Sequence, residues 1–144
     1  MPVTIREFVE TDRAVLQDIF LQSRIVAFNW LDTSLYQLTD FDEATAGEKI
    51  LVAEYCGVVR GFAGIWMADN FIHHLYVNPP FMNRGIGSSL LNEAIKTVPA
   101  RPTLKCVTKN YIALKFYESH GWCRVSDDLN PDSSYYLLMG PPKK

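Results

Sequence analysis

Residues 75–91 read LYVNPPFMNRGIGSSLL, an apolar strand segment that passes through a proline turn into a Gly-x-Gly at the start of an amphipathic helix. The first turn of such a helix has backbone N–H groups without intrahelical partners and carries the positive end of the macrodipole, so main chain alone can hold phosphate oxygens there. Gly85 and Gly87 lack the Cβ that would keep a ligand off those amides. Two familiar phosphate loops do not fit. The dinucleotide fingerprint G-x-G-x-x-G needs a small residue where Leu90 stands, and a P-loop needs a Gly-Lys-Ser/Thr that is absent. The stretch predicts a strand–loop–helix phosphate cradle of another kind.

A second stretch, residues 110–122, reads NYIALKFYESHGW. Ala113, Phe116 and Tyr117 recur at the three- and four-residue spacing of one helix face, Asn110 can cap the start, and Gly121 can end it.

In this order, and about twenty residues apart, the two stretches resemble the signatures of the GNAT superfamily of N-acetyltransferases. The first signature is Val-x-Pro followed by Arg/Gln-x-x-Gly-x-Gly/Ala and a helix, matched by Val77, Pro79, Gly85, Ile86 and Gly87. The second is Asn-x-x-Ala-x-x-Phe-Tyr-x-x-x-Gly-Phe/Trp, matched by Asn110, Ala113, Phe116, Tyr117, Gly121 and Trp122. Met82 stands where the family usually carries Arg or Gln, and Arg84, two residues on, offers a charge in its place. The resemblance implies acetyl-CoA as acyl-donor cosubstrate. Its contacts would come from Leu75, Tyr76 and Val77 in the strand, from Met82, Asn83, Arg84, Gly85, Ile86, Gly87 and Ser88 in the loop and first helical turn, and from Asn110 and Phe116 in the later helix.

Length and charge agree with one small enzyme domain. A chain of 144 residues builds one well-buried core, expected over residues 1–140 with a disordered Pro-Pro-Lys-Lys end from 141. Net charge −2 and a pI near 5.9 supply no basic field for nucleic acid. Cys56, Cys106 and Cys123 are odd in number and show no C-x-x-C spacing, so reduced thiols are expected rather than disulfides or a metal site. No signal peptide or membrane span is indicated, and a cytoplasmic monomer or homodimer is expected.

Periodicity predicts a strand over 3–8 and a helix over 11–28 in which Val15, Ile19 and Gln22 track one face. A polar loop with one short helix follows over 31–48, and then three strands, 50–55, 58–66 and 71–77, form an antiparallel meander turning at Cys56-Gly57. The cradle helix covers 85–97, a strand 103–107 leads into the Asn110 helix, and strands near 122–126 and 135–139 close the chain. The expected fold class is α/β (α+β), and the resemblance implies the GNAT-type mixed, mostly antiparallel twisted sheet of six to seven strands flanked by about four helices.

Acetyl transfer to an amine requires a deprotonated amine, stabilisation of an oxyanion and a proton for the departing thiolate. The resemblance makes Tyr117 the acid that protonates the thiolate, places Asn110 on the pantetheine arm, and gives the backbone N–H of Leu75 or a neighbour the thioester carbonyl. His73 and His74 are candidate bases, since histidine titrates near neutral pH. Strand alternation puts His73 with Phe71 and Leu75, and His74 with Ile72 and Tyr76, so both cannot face the substrate. Counting back from Gly85, His73 matches one of two alternating histidines of the arylalkylamine N-acetyltransferases, whereas the glutamate base of the histone-acetylating branch falls on Phe71. His73 is taken as the catalytic candidate, His74 as structural, with Glu54 or a water chain as alternative bases. Asp40, Asp42 and Glu43, with Asp127, Asp128 and Asp132, suit either a cationic acceptor or solvated loops, and Phe28, Trp30, Tyr36 and Trp66 either an aromatic pocket or the core. Cys106 reads as packing rather than as an acyl carrier. A non-catalytic acyl-CoA-binding or regulatory module of the same fold is the alternative function.

Overall fold

Consecutive burial in the central strands, over residues 51–53 and 61–65, and three- and four-residue apolar spacing along the helices divide the chain into a sheet with helices on both faces. The computed structural model describes residues 2–28, 31–125 and 135–143. Among them, β1 (Val3–Glu7), β2 (Lys49–Tyr55), β3 (Val58–Trp66), β4 (Phe71–Val77), β5 (Thr103–Val107), β6 (Cys123–Arg124) and β7 (Tyr135–Met139) form one seven-stranded sheet in the order β1-β2-β3-β4-β5-β7-β6. Every neighbouring pair is antiparallel except β4–β5. The helices are α1 (Arg13–Ala27), α2 (Asp40–Ala44), α3 (Ile86–Thr97) and α4 (Tyr111–Ser119). This is the mixed, mostly antiparallel architecture the sequence predicts.

On one face, Leu16, Ile19 and Phe20 of α1 and Phe41 of α2 pack on Val52 and Phe62. On the other, Ile86, Leu90, Leu91 and Ala94 of α3 and Leu114 of α4 pack on Leu51, Ala63, Ile65, Ile72 and Leu104. Each fully buried Leu or Ile is worth roughly 1.5–3 kcal/mol over exposure, so these faces fix where the helix ends point. The buried side of α1 is Leu16, Ile19, Phe20 and Ser23, while Gln22 is exposed, which corrects the expected Val15–Ile19–Gln22 face. Both rows share Ile19; the row with Leu16 and Phe20 buries more apolar area and leaves the Gln22 amide solvated. Cys56 and Gly57, at φ 54° and 79°, form the tight turn predicted between β2 and β3.

Two irregularities bear on the site. Gly64 pairs with His74 but Ile65 pairs with Ile72, so His73 bulges from β4. Likewise Ala53 pairs with Gly61 and Glu54 with Val59, leaving Arg60 unpaired in β3. At the chain end, where disorder is expected from residue 141, Lys143 donates to the backbone oxygens of Ile95 and Val98 at the end of α3. Among the described residues no helix is long and apolar enough to cross a membrane. Trp30 and the loop acids Asp127, Asp128 and Asp132 lie outside the described residues, as does the end of the strand expected over 122–126.

Candidate active site

β4 and β5 are neighbours in the sheet, yet their pairing is confined to Phe71 with Thr103, and the two strands diverge toward Val77 and Val107. The result is a wedge. The N–H of Asn78 bonds Arg60 O at 2.7 Å, so by antiparallel alternation residues 74, 76 and 78 turn their main-chain groups to β3, and Leu75 and Val77 turn theirs to the wedge. Val77 O accepts the Ser23 hydroxyl of α1 at 3.1 Å, consistent with that orientation. Their side chains pack into the α3 core, so at this place both residues offer backbone rather than side chain.

Three titratable side chains on the elements around the wedge influence one another electrostatically: Tyr76 of β4, Cys106 of β5 and Tyr117 of α4. Burial, with Cys106 and Tyr76 as its charged-form neighbours, pushes the Tyr117 hydroxyl well above the ordinary tyrosine value. Burial raises Tyr76 to about 12 and Cys106 to about 11. A protonated Tyr117 can donate, and a protonated Cys106 is a poor nucleophile. Tyr76 faces the α1 side, its ring 5.3 Å from that of Phe20.

Tyr117 is held by well-defined helix ends. Asn110 Oδ1 accepts the Ala113 N–H at 3.2 Å, which caps α4 as predicted and commits that oxygen. At the other end Trp122 N bonds Tyr117 O at 3.1 Å and Gly121 N bonds Glu118 O at 3.1 Å, with Gly121 at φ 86°, a Schellman stop.

The loop into α3 winds through Met82 in an extended conformation, Asn83 at φ 64° and Gly85 at φ 84°. Gly85 is the N-cap of α3 and gives no side-chain cap to its first turn, so the amides of Ile86, Gly87 and Ser88 are left to another acceptor. A Cβ built on Gly85 would meet nothing within 4 Å, which makes this glycine the open lip of the cradle. At Gly87 a Cβ would come 3.4 Å from Phe116 Cζ and 3.7 Å from Val77, ordinary van der Waals contact with α4 and β4. Ile86 is 1% exposed, a core side chain that contributes only its amide. The Ser88 hydroxyl donates to His120 Nε2 at 2.8 Å, while His120 Nδ1 donates to Phe116 O at 2.8 Å, tying the two helices together.

Met82 is exposed, and the charge comes from two arginines flanking one ring. Arg84 lies 5.5 Å and Arg60 3.9 Å from the Phe81 centroid, and Arg60 Nε is buried without a hydrogen-bond partner. An uncapped helix start, an open glycine and an orphaned guanidinium N–H suit a diphosphate. Arg60 was missed in the sequence because its place beside the loop depends on the β3 bulge.

The histidines correct the alternation argument. Because His73 bulges, it and His74 lie on the same side of β4, with ring centroids 4.0 Å apart. His73 Nδ1 contacts Glu48 Oε2, and His74 Nε2 bonds Ala44 O at 3.1 Å and lies 3.7 Å from Glu48 Oε1. The Glu48 side chain is 3% exposed and that of His73 48%. Burial raises the Glu48 carboxyl, with His73 opposing, and burial lowers His74 to about 4, aided by His73. His74 is thus a neutral, buried ring. Glu48 was not singled out from the sequence; the available signal was Gly64 inside a strand, since a Cβ there would land on Oε1.

The acidic α2 does not line the site as loose charge. Asp42 accepts from Arg13 at 2.7 Å and Gln17 at 3.1 Å, and Asp40 from Arg24 at 3.2 Å, which fastens α2 to α1. Glu54 receives Arg6 Nε at 2.5 Å and is committed to that pair. The Arg24 guanidinium stacks between Phe20 and Tyr36, 4.0 and 4.3 Å from their centroids.

No curated protein matches the chain. Solved structures do. The PaiA N-acetyltransferase of Thermoplasma acidophilum in complex with coenzyme A is similar at 19% identity over 97% of this chain and 99% of its own, with TM-score 0.79. YncA of Salmonella typhimurium with its cofactor acetyl-CoA is similar at 20% identity, 95% and 91% coverage and TM-score 0.65. The ribosomal-protein-S18-alanine N-acetyltransferase of Escherichia coli is similar at 18% identity, 99% and 96% coverage and TM-score 0.69. At these identities the likeness is one of fold. The profile of the Acetyltransferase (GNAT) family matches residues 13–122, which takes in the wedge, the cradle and Tyr117. The chain belongs to the GNAT family of acetyltransferases.

Proposed function

We propose that the protein moves an acetyl group from acetyl-CoA to a primary amine of a small molecule or peptide, by direct attack in a ternary complex. The observation that carries this reading is the wedge: a β4 edge with the Leu75 and Val77 amides turned into the gap, and Tyr117 of α4 under the electrostatic influence of Cys106 on the β5 side. The α3 cradle with Arg60 and Arg84 would hold the diphosphate of the coenzyme, and the Leu75 N–H would meet the thioester carbonyl as charge develops on its oxygen.

His73 takes the proton of the amine. Glu48 accepts at Nδ1, which leaves the Nε2 lone pair for the substrate. Residues 73 and 75 stand roughly 6–7 Å apart along the strand, at about 3.3 Å per residue, a span that one water or the amine itself can cover. Nitrogen then bonds the acetyl carbon, the carbon–sulfur bond breaks, and Tyr117 gives its proton to the departing thiolate. Cys106 takes no part. The free thiols of Cys56, Cys106 and Cys123 accord with the cytoplasmic location we propose.

The test is thiol release from acetyl-CoA against a panel of amines, namely a polyamine, an arylalkylamine, an aminoglycoside and a peptide N-terminus. Amine-dependent release that falls in Tyr117→Phe is expected. Acetyl-CoA binding with no release for any amine would favour the non-catalytic module instead.

A further inference from the structure

We propose that Glu48, His73 and His74 form a binding site for a zinc-class divalent cation, a property that goes beyond the acetyl-transfer reading. One carboxylate oxygen and one ring nitrogen from each histidine lie within 4.8 Å of one another. The site exists because β4 bulges: two successive strand residues would otherwise point to opposite faces. Two imidazoles and a carboxylate, with one direction left open, are the donor set of open zinc sites. At zinc–ligand bonds of 2.0–2.2 Å, two donors on one ion stand about 3.3 Å apart. His74 Nε2 and Glu48 Oε1, at 3.7 Å, are close to that spacing, while Oε2 and His73 Nδ1 need only separate slightly to admit the ion.

A second, independent observation asks for a cation. Glu48 Oε1 is buried without a hydrogen-bond partner in a side chain that is 3% exposed. The His73 contact satisfies Oε2 alone, and an unpaired buried carboxylate oxygen is costly unless a positive partner reaches it. Gly64 keeps that space clear, since a Cβ there would overlap Oε1 and approach His74 Cδ2 to 3.0 Å. His74 would exchange its bond to Ala44 O for the ion, and the half-exposed His73 edge supplies both the entry path and the open coordination position.

An ion on His73 Nδ1 leaves the ring proton on Nε2, the atom that takes the amine proton in the acetyl-transfer reading. Zinc would therefore suppress turnover. That consequence rests on the proposed function, whereas binding itself does not.

Calorimetric titration of metal-stripped protein with ZnCl2, without acetyl-CoA or amine, tests the site. One equivalent per chain is expected, weakened roughly tenfold or more in His73→Ala and in Glu48→Gln. The half-exposed His73 tolerates truncation, which an unchanged metal-free melting temperature verifies, so His73→Ala decides even if Glu48→Gln fails to fold. Substituted with Co2+, the protein should show the intense visible bands of a four-coordinate site without a thiolate charge-transfer band. No binding, binding unchanged in His73→Ala, or a thiolate band assigning the metal to Cys56 or Cys123 would overturn the proposal.

Discussion

Glu48 and His73 stand 25 residues apart in the chain, yet the buried carboxylate of one meets Nδ1 of the other where the start of β2 faces the bulge of β4. A carboxylate acceptor at Nδ1 selects the tautomer whose Nε2 can accept a proton, and holds the ring in one orientation. His73→Ala should lower kcat about 100-fold near neutral pH and recover partly at alkaline pH, where the amine loses its proton unaided. Glu48→Gln should cost about tenfold in kcat with little change in KM for acetyl-CoA, since the carboxylate acts through the ring. Full pH–rate profiles of the three proteins check this; a His73→Ala profile superimposable on the wild type would remove the histidine from proton transfer.

The same carboxylate should carry a stability cost. Burial raises the Glu48 carboxyl above its ordinary 4.5 in the folded protein, so the native state binds that proton more tightly than the unfolded chain. Its contribution is therefore full below pH 4.5 and declines as pH rises through a window above it. Glu48→Gln lacks this slope and should gain on the wild type between pH 5 and pH 8 in urea midpoints, while losing activity. A parallel decline in the two proteins would contradict it.

His74 carries the opposite sign. Burial depresses it from 6.5 to about 4, so the stability of the neutral ring is present above pH 6.5 and is lost as pH falls toward 4. The shift corresponds to roughly 3 kcal/mol over that window. His74→Phe, in a cluster with Phe20, Phe62 and Tyr76, should flatten the acid side of the stability curve. Urea unfolding at pH 7 and pH 4.5 measures the difference, and an unaltered acid slope in the variant would count against it.

Tyr117→Phe should reduce kcat 10- to 100-fold with KM for acetyl-CoA within about twofold, because the lost group acts on the leaving thiolate rather than on ground-state binding. Steady-state kinetics with any accepted amine decides this. Unchanged kcat would leave thiolate protonation to solvent.

Gly85→Ala puts a side chain at φ 84° and a methyl at the open lip of the cradle. The left-handed backbone costs about 1–2 kcal/mol of stability for a residue with a Cβ. Acetyl-CoA affinity should fall tenfold or more as the methyl stands over the first-turn amides. Gly87→Ala, whose methyl would stand in ordinary van der Waals contact with Phe116 and Val77, should leave the melting temperature and the packing of α4 nearly unchanged. Melting curves and acetyl-CoA titrations separate the two.

Much of this site was legible in the chain. The cradle, the α4 cap and stop, and the Cys56-Gly57 turn depend on local chemistry, in which a glycine at positive φ or an asparagine cap leaves its mark within a few residues. The His73–His74 geometry was not, because one unpaired residue in β4 reverses the alternation on which strand faces are read, and nothing in FIHHLYV announces a bulge. Glu48 and Arg60 were hidden for a related reason: each acts on residues far along the chain, and each depends on a long-range register. Asp40 and Asp42 show the converse, acids whose sequence suited a cationic acceptor or a solvated loop alike and which are engaged by arginines of α1.

The most direct measurement is a calorimetric titration of acetyl-CoA into the purified protein at pH 7.5, with ATP and NAD as controls and Gly85→Ala alongside. Binding of one acetyl-CoA per chain with a micromolar Kd, weaker in Gly85→Ala and without comparable heat for ATP or NAD, is the expected result. No heat with acetyl-CoA, or equal binding of all three ligands, would mean that the α3 cradle does not hold the coenzyme, and the roles given to Leu75, His73 and Tyr117 would fall with it.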